Sequence, residues 1–589
     1  MTSATRRARD RRDALLTQID VASRDSLGFG LRPTQRRAGL MLLDRCIAEM
    51  PTGEGKTLTT SIPASILASE GRQVLIATAN DYLAERDASW MQPIYHAIGL
   101  SVASISSATD DQTRRRAYDQ HVVYGTLREF AFDFLRRSLS SRDTTERTLP
   151  HDLVQDAVTA PPPAFPFNAL VLDEADSILI DEARTPMIIT AAIGRIDHAR
   201  EACYRWAAEL APRFVRGHHY IHLDDRGLVA LTEAGRHLAV TSPVSTEMHP
   251  LTTTDLLHAL ERAIRVNETV QRDVHYVIQD DAIHLVDEYT GRKASERNFG
   301  GGVHQAVEAR EGLNLTPESE TIARISVQDF VSKFDHLCGM TATGWEDRRE
   351  FQSVYGLTVR RLPPHVASQR RLLPPVLRRT QAEKWQSIAD ETEQMILRGR
   401  SVLVGTRTIE QSESLSQRFQ ERKIEHVVLN ARNPASEAGI VAKAGQPGRV
   451  TVATNMAGRG TDIQLAPSVR TSGGLHVIVS EPHAALRIDR QLIGRCARQG
   501  DPGTARLYAS ADDEILAQAF GKREAQRLRD AASRASERWL WSKLRRAQRQ
   551  VARQHRIERQ QLTARDLQLA DAMLQLGLDP HLDPLPETR

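Results

Sequence analysis

Two segments about 120 residues apart restrict the fold of this chain more than anything else in it. The first, Met50-Pro-Thr-Gly-Glu-Gly-Lys-Thr57, is a phosphate-binding signature placed between a helical stretch and Thr57-Leu-Thr-Thr-Ser-Ile-Pro-Ala64. Gly53 and Gly55 let the backbone wrap round phosphate oxygens, Lys56 reaches the β and γ phosphates, and Thr57 offers a hydroxyl to Mg²⁺. The phosphate then rests on a helix N-terminus. Met50 stands where the pattern has its first glycine, so the match is a variant of that signature. The second segment is an apolar strand, Ala169-Leu-Val-Leu172, that delivers Asp173 and Glu174 to its carboxyl end. In an α/β sheet that is where the acidic half of a nucleotide site belongs. One carboxylate helps hold Mg²⁺ and the next orients the attacking water, as phosphoanhydride hydrolysis requires. Asp173-Glu-Ala-Asp176 alone says little; its pairing with the upstream loop makes a site.

Around these segments the chain reads as two α/β blocks. Gln73-Val-Leu-Ile-Ala-Thr78, His121-Val-Val-Tyr124 and Ala169-Leu-Val-Leu172 are apolar runs of buried parallel strands separated by helical patterns. Ser401-Val-Leu-Val-Gly405, Glu425-His-Val-Val-Leu429, Val450-Thr-Val-Ala453, Gly474-Leu-His-Val-Ile-Val479 and Ala505-Arg-Leu-Tyr508 repeat the pattern. Two RecA-like, helicase-type nucleotide-binding lobes are the simplest architecture. Between them, Tyr220 to Leu231 and His275 to Asp287 carry hairpin patterns that mark an inserted α+β domain. His218, His219 and His222 within it read as a solvated hairpin edge and are assigned no metal. The expected division is a discontinuous first lobe (1–186 and 305–362), the insertion (187–304), a second lobe (363–520) and a short helical segment (521–589).

Composition adds class limits. At 589 residues the chain exceeds one core. Its net charge is only +3, yet 70 of its 78 basic residues are arginine, each able to fork onto carboxylate or phosphate. The four cysteines lack metal-ligand spacing, which argues for reduced thiols, and no zinc is expected. There is no run of 18 apolar residues, and the Arg-rich start from Thr2 to Asp13 is followed by no apolar signal core, so the chain is expected to be neither inserted nor exported.

The second block has chemistry of its own. Ala453-Thr-Asn-Met-Ala-Gly-Arg-Gly-Thr-Asp-Ile463 follows a strand directly, and Gln491-Leu-Ile-Gly-Arg-Cys-Ala-Arg-Gln-Gly-Asp-Pro-Gly503 lies at a second strand-to-helix region. Arg495 and Arg498, three apart, are expected to share one helical face and to neutralise charge on the γ-phosphoryl group. Asp462 is placed to meet the nucleotide sugar or one of these arginines.

These residues resemble one family: SecA, the ATPase motor of bacterial preprotein translocation. The resemblance is carried by Arg45 to Thr57, Asn80 to Asp87, Asp173 to Pro186, Val286 to Arg292, His304 to Gly312, Ala453 to Ile463 and Gln491 to Asp501, and runs from about Leu31 to Leu516. It implies that Gln35 reads adenine, that Gly53, Glu54, Gly55, Lys56 and Thr57 hold the phosphates, that Asp173 and Thr57 serve Mg²⁺, that Glu174 is the catalytic carboxylate and that Asp462 binds nucleotide. Arg459, Arg495 and Arg498 would sense the γ-phosphate. The insertion then looks like the preprotein-crosslinking domain, gripping extended backbone by strand addition. Implied partners are an unfolded preprotein and the SecY channel, with a homodimer allowed and no specific nucleic acid; the implied location is cytoplasmic, peripheral to the plasma membrane.

Departures from the family pattern are also visible. Only about 70 residues follow the second lobe, where relatives have longer helical regions. Residues 521–560 hold 13 Lys and Arg against 4 Asp and Glu, a local charge of +9, interleaved with Trp539, Leu540, Trp541 and Leu544. Such a helix is able to pack on the motor or to meet an anionic membrane surface. A separate amphipathic helix is expected from Leu562 to Leu578, ending at Gly577 and Pro580. Thr341-Ala-Thr-Gly344 replaces Thr-Gly-Thr-Ala, and Leu127-Arg128 replaces paired asparagines; these positions bear on coupling more than on hydrolysis.

Overall fold

The computed structural model describes residues 3–141, 165–192, 197–222, 229–279, 281–286, 293–294, 299, 301–317, 319–429, 440–441, 443–454, 462–532 and 536–583. The first lobe is a seven-stranded sheet in the order Thr358–Arg361, Cys46–Glu49, His336–Thr341, Ala169–Asp173, Val74–Thr78, Val122–Thr126, Val102–Ser104. Every pairing in it is parallel. The central strands are Val-, Ile- and Leu-rich because helices cover both faces, which leaves no alternation to read. This order sets the phosphate loop, at the carboxyl end of Cys46–Glu49, and Asp173, at the end of Ala169–Asp173, on the same edge of the lobe, with only His336–Thr341 between their strands.

The chain leaves this lobe through Met187–Ala192 and returns through Ser319–Ile325, which pair antiparallel as a two-stranded stem. Beyond the stem lie helices His198–Leu210, Glu233–Thr241 and Thr253–Thr269, a hairpin of Tyr220–His222 with Val229–Leu231, and a three-stranded sheet of Tyr276–Gln279, Ala282–Val286 and Lys293–Ala294. Helix Val303–Arg310 buries Val303, Ala306 and Val307 against Tyr204, Val266 and Tyr276. The insertion's core therefore continues past residue 304, where the sequence reading ended it, because those three residues form the apolar stripe of a helix seated on its neighbours.

The second lobe is also a parallel sheet. Its order is Gln369–Leu372, Pro502–Ser510, Leu475–Val479, Val402–Thr406, Val450–Thr454, His426–Leu429, and Val376–Arg378 adds to Pro502–Ser510.

The C-terminal region differs from the expectation of two helices. Glu537–Gln575 is one uninterrupted helix of 39 residues, stopped at Gly577, whose φ is 73°. Its first half buries Leu540, Leu544, Ala547 and Val551 against Ile515, Leu516 and Ala519 of the second lobe. The apolar face that the sequence offered to a membrane is thus used in packing, and Arg545, Arg546, Arg549 and Arg553 are exposed. Its second half reaches the first lobe. Arg559 forks onto Glu350 at 2.6 and 2.8 Å, both groups buried, and Glu558 meets Arg184 at 2.9 Å. Beyond the helix, the Arg324 N–H on the stem donates to His581 O at 2.8 Å.

His555 sits on this bridging helix. Burial, then Arg184, Arg559, Arg487 and Arg407, push its pKa from 6.5 down to about 3. The unfolded chain accordingly takes up a proton that the folded chain refuses, so this contribution is full above pH 6.5 and declines as pH falls from 6.5 towards about 3. His336, His476 and His581 are lowered too, so His555 supplies a share. His555→Leu should flatten the fall in melting temperature between pH 6.5 and about 5, above the range where ordinary carboxylates titrate. An unaltered slope would remove His555 from the acid response.

Candidate nucleotide site between the lobes

Helix Lys56–Ser69 begins at Gly55, which has φ 78° and no side-chain cap, leaving its first-turn N–H groups to an anion. Gly53, with φ 86°, is needed for space as well. A Cβ there would stand 3.1 Å from Arg498 Cβ, and one on Gly55 would run into the Gln35 amide. Gln35 braces this loop: Nε2 donates to Glu54 O at 3.0 Å and Oε1 accepts from Arg32 N at 2.8 Å. Glu54 contributes backbone to the loop, while its carboxylate turns to the interlobe linker and accepts from His365 N at 3.2 Å.

Lys56 Nζ lies 2.6 Å from Glu174 Oε1, so the phosphate-loop cation and the second carboxylate face one point. Glu174 holds φ 63°, a left-handed conformation costly for a non-glycine residue and typical of functional positions. Asp173 ends its strand beside it. Thr57 Oγ1 is 3.5 Å from Asp87 Oδ2, a buried carboxylate raised in pKa by desolvation and opposed by Arg86. Asp87 received no role from the sequence, although it closes the segment Asn80 to Asp87 that helped carry the resemblance. A hydroxyl, an adjacent carboxylate and an uncapped helix start form a donor set that fits a Mg²⁺–nucleotide.

The second lobe presses on the loop from the opposite side. Thr52 Oγ1 donates to Gly494 O at 2.7 Å, and Arg498 lies over Gly53. Arg498 Nη1 and Gln499 Nε2 each reach the Asp462 carboxylate at 2.9 Å, so Asp462 meets one of the arginines as well as a glutamine. The expected shared helical face of Arg495 and Arg498 is not present. Helix Leu486–Ile493 stops, and the two arginines follow on a turn bent by positive φ at Ala497 and Gln499. Arg459 lies outside the described residues. A cavity of about 340 Å³ opens beside the loop between Thr52 and Glu54 on one lobe and Gly494 and Gln499 on the other.

Helix Leu486–Ile493 supplies further cross-lobe contacts among the described residues, whose partners the sequence did not reveal. Gln491 donates to Asp176 and lies 3.2 Å from Thr343 Oγ1, so the last carboxylate of the acidic motif reports across the interface. Arg487, fully buried, joins Asp181 and, at 3.0 Å, Asp347. Arg490 meets Glu346. The altered segment Thr341-Ala-Thr-Gly344 keeps this geometry: Thr343 N donates to Thr341 Oγ1 at 3.1 Å, and a Cβ at Gly344 would stand 2.8 Å from Thr341 Cγ2. The glycine has moved two positions along, and the threonine that touches Asp176 is in place.

Two parallel-sheet lobes, a phosphate loop on one and Arg498 of the other leaning over it define a two-lobed P-loop NTPase of the helicase-like class. Family models agree with this class: a SecA DEAD-like domain matches residues 4–352, and a SecA P-loop domain matches 369–470 and 466–533. The chain belongs to the SecA family. It is 41% identical over 575 residues to the protein translocase subunit SecA 2 of Rhodopirellula baltica, covering 95% of this chain and 88% of that protein. It is 40% identical to the protein translocase subunit SecA of Syntrophobacter fumaroxidans, over 86% of this chain but 58% of that protein. Among solved structures, DUF1998 helicase MrfA bound to DNA is similar at a TM-score of 0.41 and 14% identity, over 87% of this chain and 53% of that one.

Proposed function

We propose that this chain is a SecA-like motor that couples ATP hydrolysis to movement of unfolded preprotein through the SecY channel, working peripherally at the cytoplasmic face of the plasma membrane. The observation that carries the reading is the 2.6 Å Lys56–Glu174 pair at a loop roofed by Arg498 of the other lobe, in a chain 41% identical to a translocase subunit over 95% of its length. In this reading Gly53, Glu54 and Gly55 bind phosphate through backbone, Lys56 neutralises the β and γ groups, and Gln35 meets adenine. Mg²⁺, held through Thr57 and Asp173, would polarise the phosphoryl oxygens. Glu174 orients the attacking water and accepts its proton. Arg498, with Arg495 and Arg459, offsets charge growing on the γ-phosphoryl group, and Asp462 holds Arg498 in place. Closure of the second lobe is passed through Gln491 to Asp176, and so to the strand that leads into the insertion. The insertion, from the stem outward, clamps the cargo. Among the described residues no helix is long and apolar enough to cross a membrane, which suits a peripheral motor.

The test is ATPase activity of the purified protein alone, with an unfolded preprotein, with SecY-containing vesicles, and with RNA. Stimulation by preprotein, rising further with vesicles as cargo enters their lumen, is expected. Stimulation by RNA alone would overturn the reading. Stimulation by preprotein with no vesicle-dependent transport would replace it with an ATP- and polypeptide-binding chaperone.

A further inference from the structure

Helix Asp81–Ala97 starts at Asn80, whose side chain accepts from Leu83 N at 2.9 Å, and it turns Leu83, Ala84, Asp87, Ala88 and Met91 inward as one buried stripe. Asp87 is the polar member of that stripe. It is 2% exposed at a position where an aliphatic side chain would pack, and a carboxylate taken out of water is tolerated only with partners. Its two oxygens have different ones. Arg86 reaches in from the rim, with Nε and Nη2 both donating to Oδ1 at 2.8 and 2.6 Å. Oδ2 faces the Thr57 hydroxyl at 3.5 Å, on the first turn of the phosphate-loop helix.

Asp87 also stands near the carboxylate that ends strand Ala169–Asp173. The buried phenol of Tyr124 is held above its ordinary range by burial, by the Tyr95 hydroxyl 3.0 Å away, and by the charges of Asp87 and Asp173. One ring therefore has both acids as neighbours. A hydroxyl carries one proton and two lone pairs. With its proton committed to Asp87, Thr57 keeps both lone pairs for a cation. Without that acceptor the proton is free to turn to a backbone carbonyl of the preceding turn, and the oxygen's orientation is no longer fixed.

We propose that Asp87 is a positioning residue for Mg²⁺ binding: it accepts the Thr57 proton and so presents the hydroxyl oxygen to the metal. This rests on the reading of Thr57 and Asp173 as the residues that hold Mg²⁺. Partners that orient a ligand in this way set metal affinity, and their loss costs about 10- to 100-fold.

The test reads the metal and leaves turnover aside: the affinity of a fluorescent ADP analogue is followed as free Mg²⁺ is raised over EDTA-treated protein. Asp87→Asn should move the Mg²⁺ midpoint about 10- to 100-fold upward and leave affinity in EDTA within about twofold. Asparagine keeps the size, but the two Arg86 N–H groups claim its carbonyl, and its amide then donates to Thr57 where the carboxylate accepted. Asp87→Ala, which continues the apolar stripe and lets Arg86 turn to solvent, should give the same shift and guards against misfolding of the amide variant. Thr57→Ala should move the midpoint as well, and adding Asp87→Asn to it should move it no further, because the hydroxyl through which Asp87 acts is gone. Arg86→Gln should keep the midpoint within about twofold of wild type, since the Asp87 oxygen facing Thr57 remains. An unmoved midpoint in both Asp87 variants, additive shifts in the double variant, or an Arg86→Gln shift as large as that of Asp87→Asn would overturn the inference and leave the Mg²⁺ reading standing. A wild type whose affinity ignores Mg²⁺ would overturn the Mg²⁺ reading itself, and this inference with it.

Discussion

Glu174→Gln is expected to leave ATP bound while hydrolysis falls by roughly 10²- to 10⁴-fold, the range a positioned general base contributes. The side chain stands at the end of a buried strand in a left-handed conformation, 2.6 Å from Lys56, with little freedom to be replaced by a neighbour. Glutamine keeps its size and removes its charge. Lys56 would then share its charge with the nucleotide alone, so affinity for ATP should be unchanged or higher. Single-turnover hydrolysis and equilibrium binding of a fluorescent ATP analogue separate the two effects. Unchanged turnover would remove Glu174 from the chemistry, and lost binding would assign it to the phosphate site instead.

Lys384→Met should cause the largest loss of stability. Lys384 is wholly buried in the second lobe, paired with Asp513 and 3.7 Å from Glu481, beside the face of Trp385 at 4.9 Å. Ser510 N and Oγ also donate to Asp513, and Arg407 approaches Glu481 at 3.5 Å. Removing the cation alone strands a buried carboxylate, at about 3–5 kcal/mol. At about 2–4 °C per kcal/mol for a lobe of this size, its melting transition should fall by roughly 6–20 °C. Lys384→Met combined with Asp513→Asn should recover part of the loss, since both halves of the pair are then neutral. Equal melting temperatures for wild type and Lys384→Met would show that the trio contributes nothing net.

The parallel strands were legible because burial on both faces leaves only apolar residues to choose from, as in Val74–Thr78 and Leu475–Val479. Gln369–Leu372 was not, because an edge strand with Arg370, Arg371 and a two-thirds exposed Leu372 carries no apolar signal. The phosphate loop and Asp173-Glu174 were readable since their chemistry demands fixed residue types at fixed spacing. The turn after Ile493 was hidden: positive φ at Ala497 and Gln499 is imposed by packing, and neither residue type announces it. Arg487 and Gln491 were missed for a related reason, since their partners Asp181 and Asp176 lie about 300 residues away in sequence.

The 39-residue helix Glu537–Gln575 has a kinematic consequence. At 1.5 Å per residue it is a rod of roughly 58 Å. One lobe grips its first half through Leu540 to Val551 and the other grips it through the Arg559–Glu350 fork. A stiff rod fastened to two bodies acts as a strut: any shift of one lobe against the other must strain the apolar seam or the buried fork, so resistance to lobe movement comes from a segment that touches none of the residues assigned to the nucleotide.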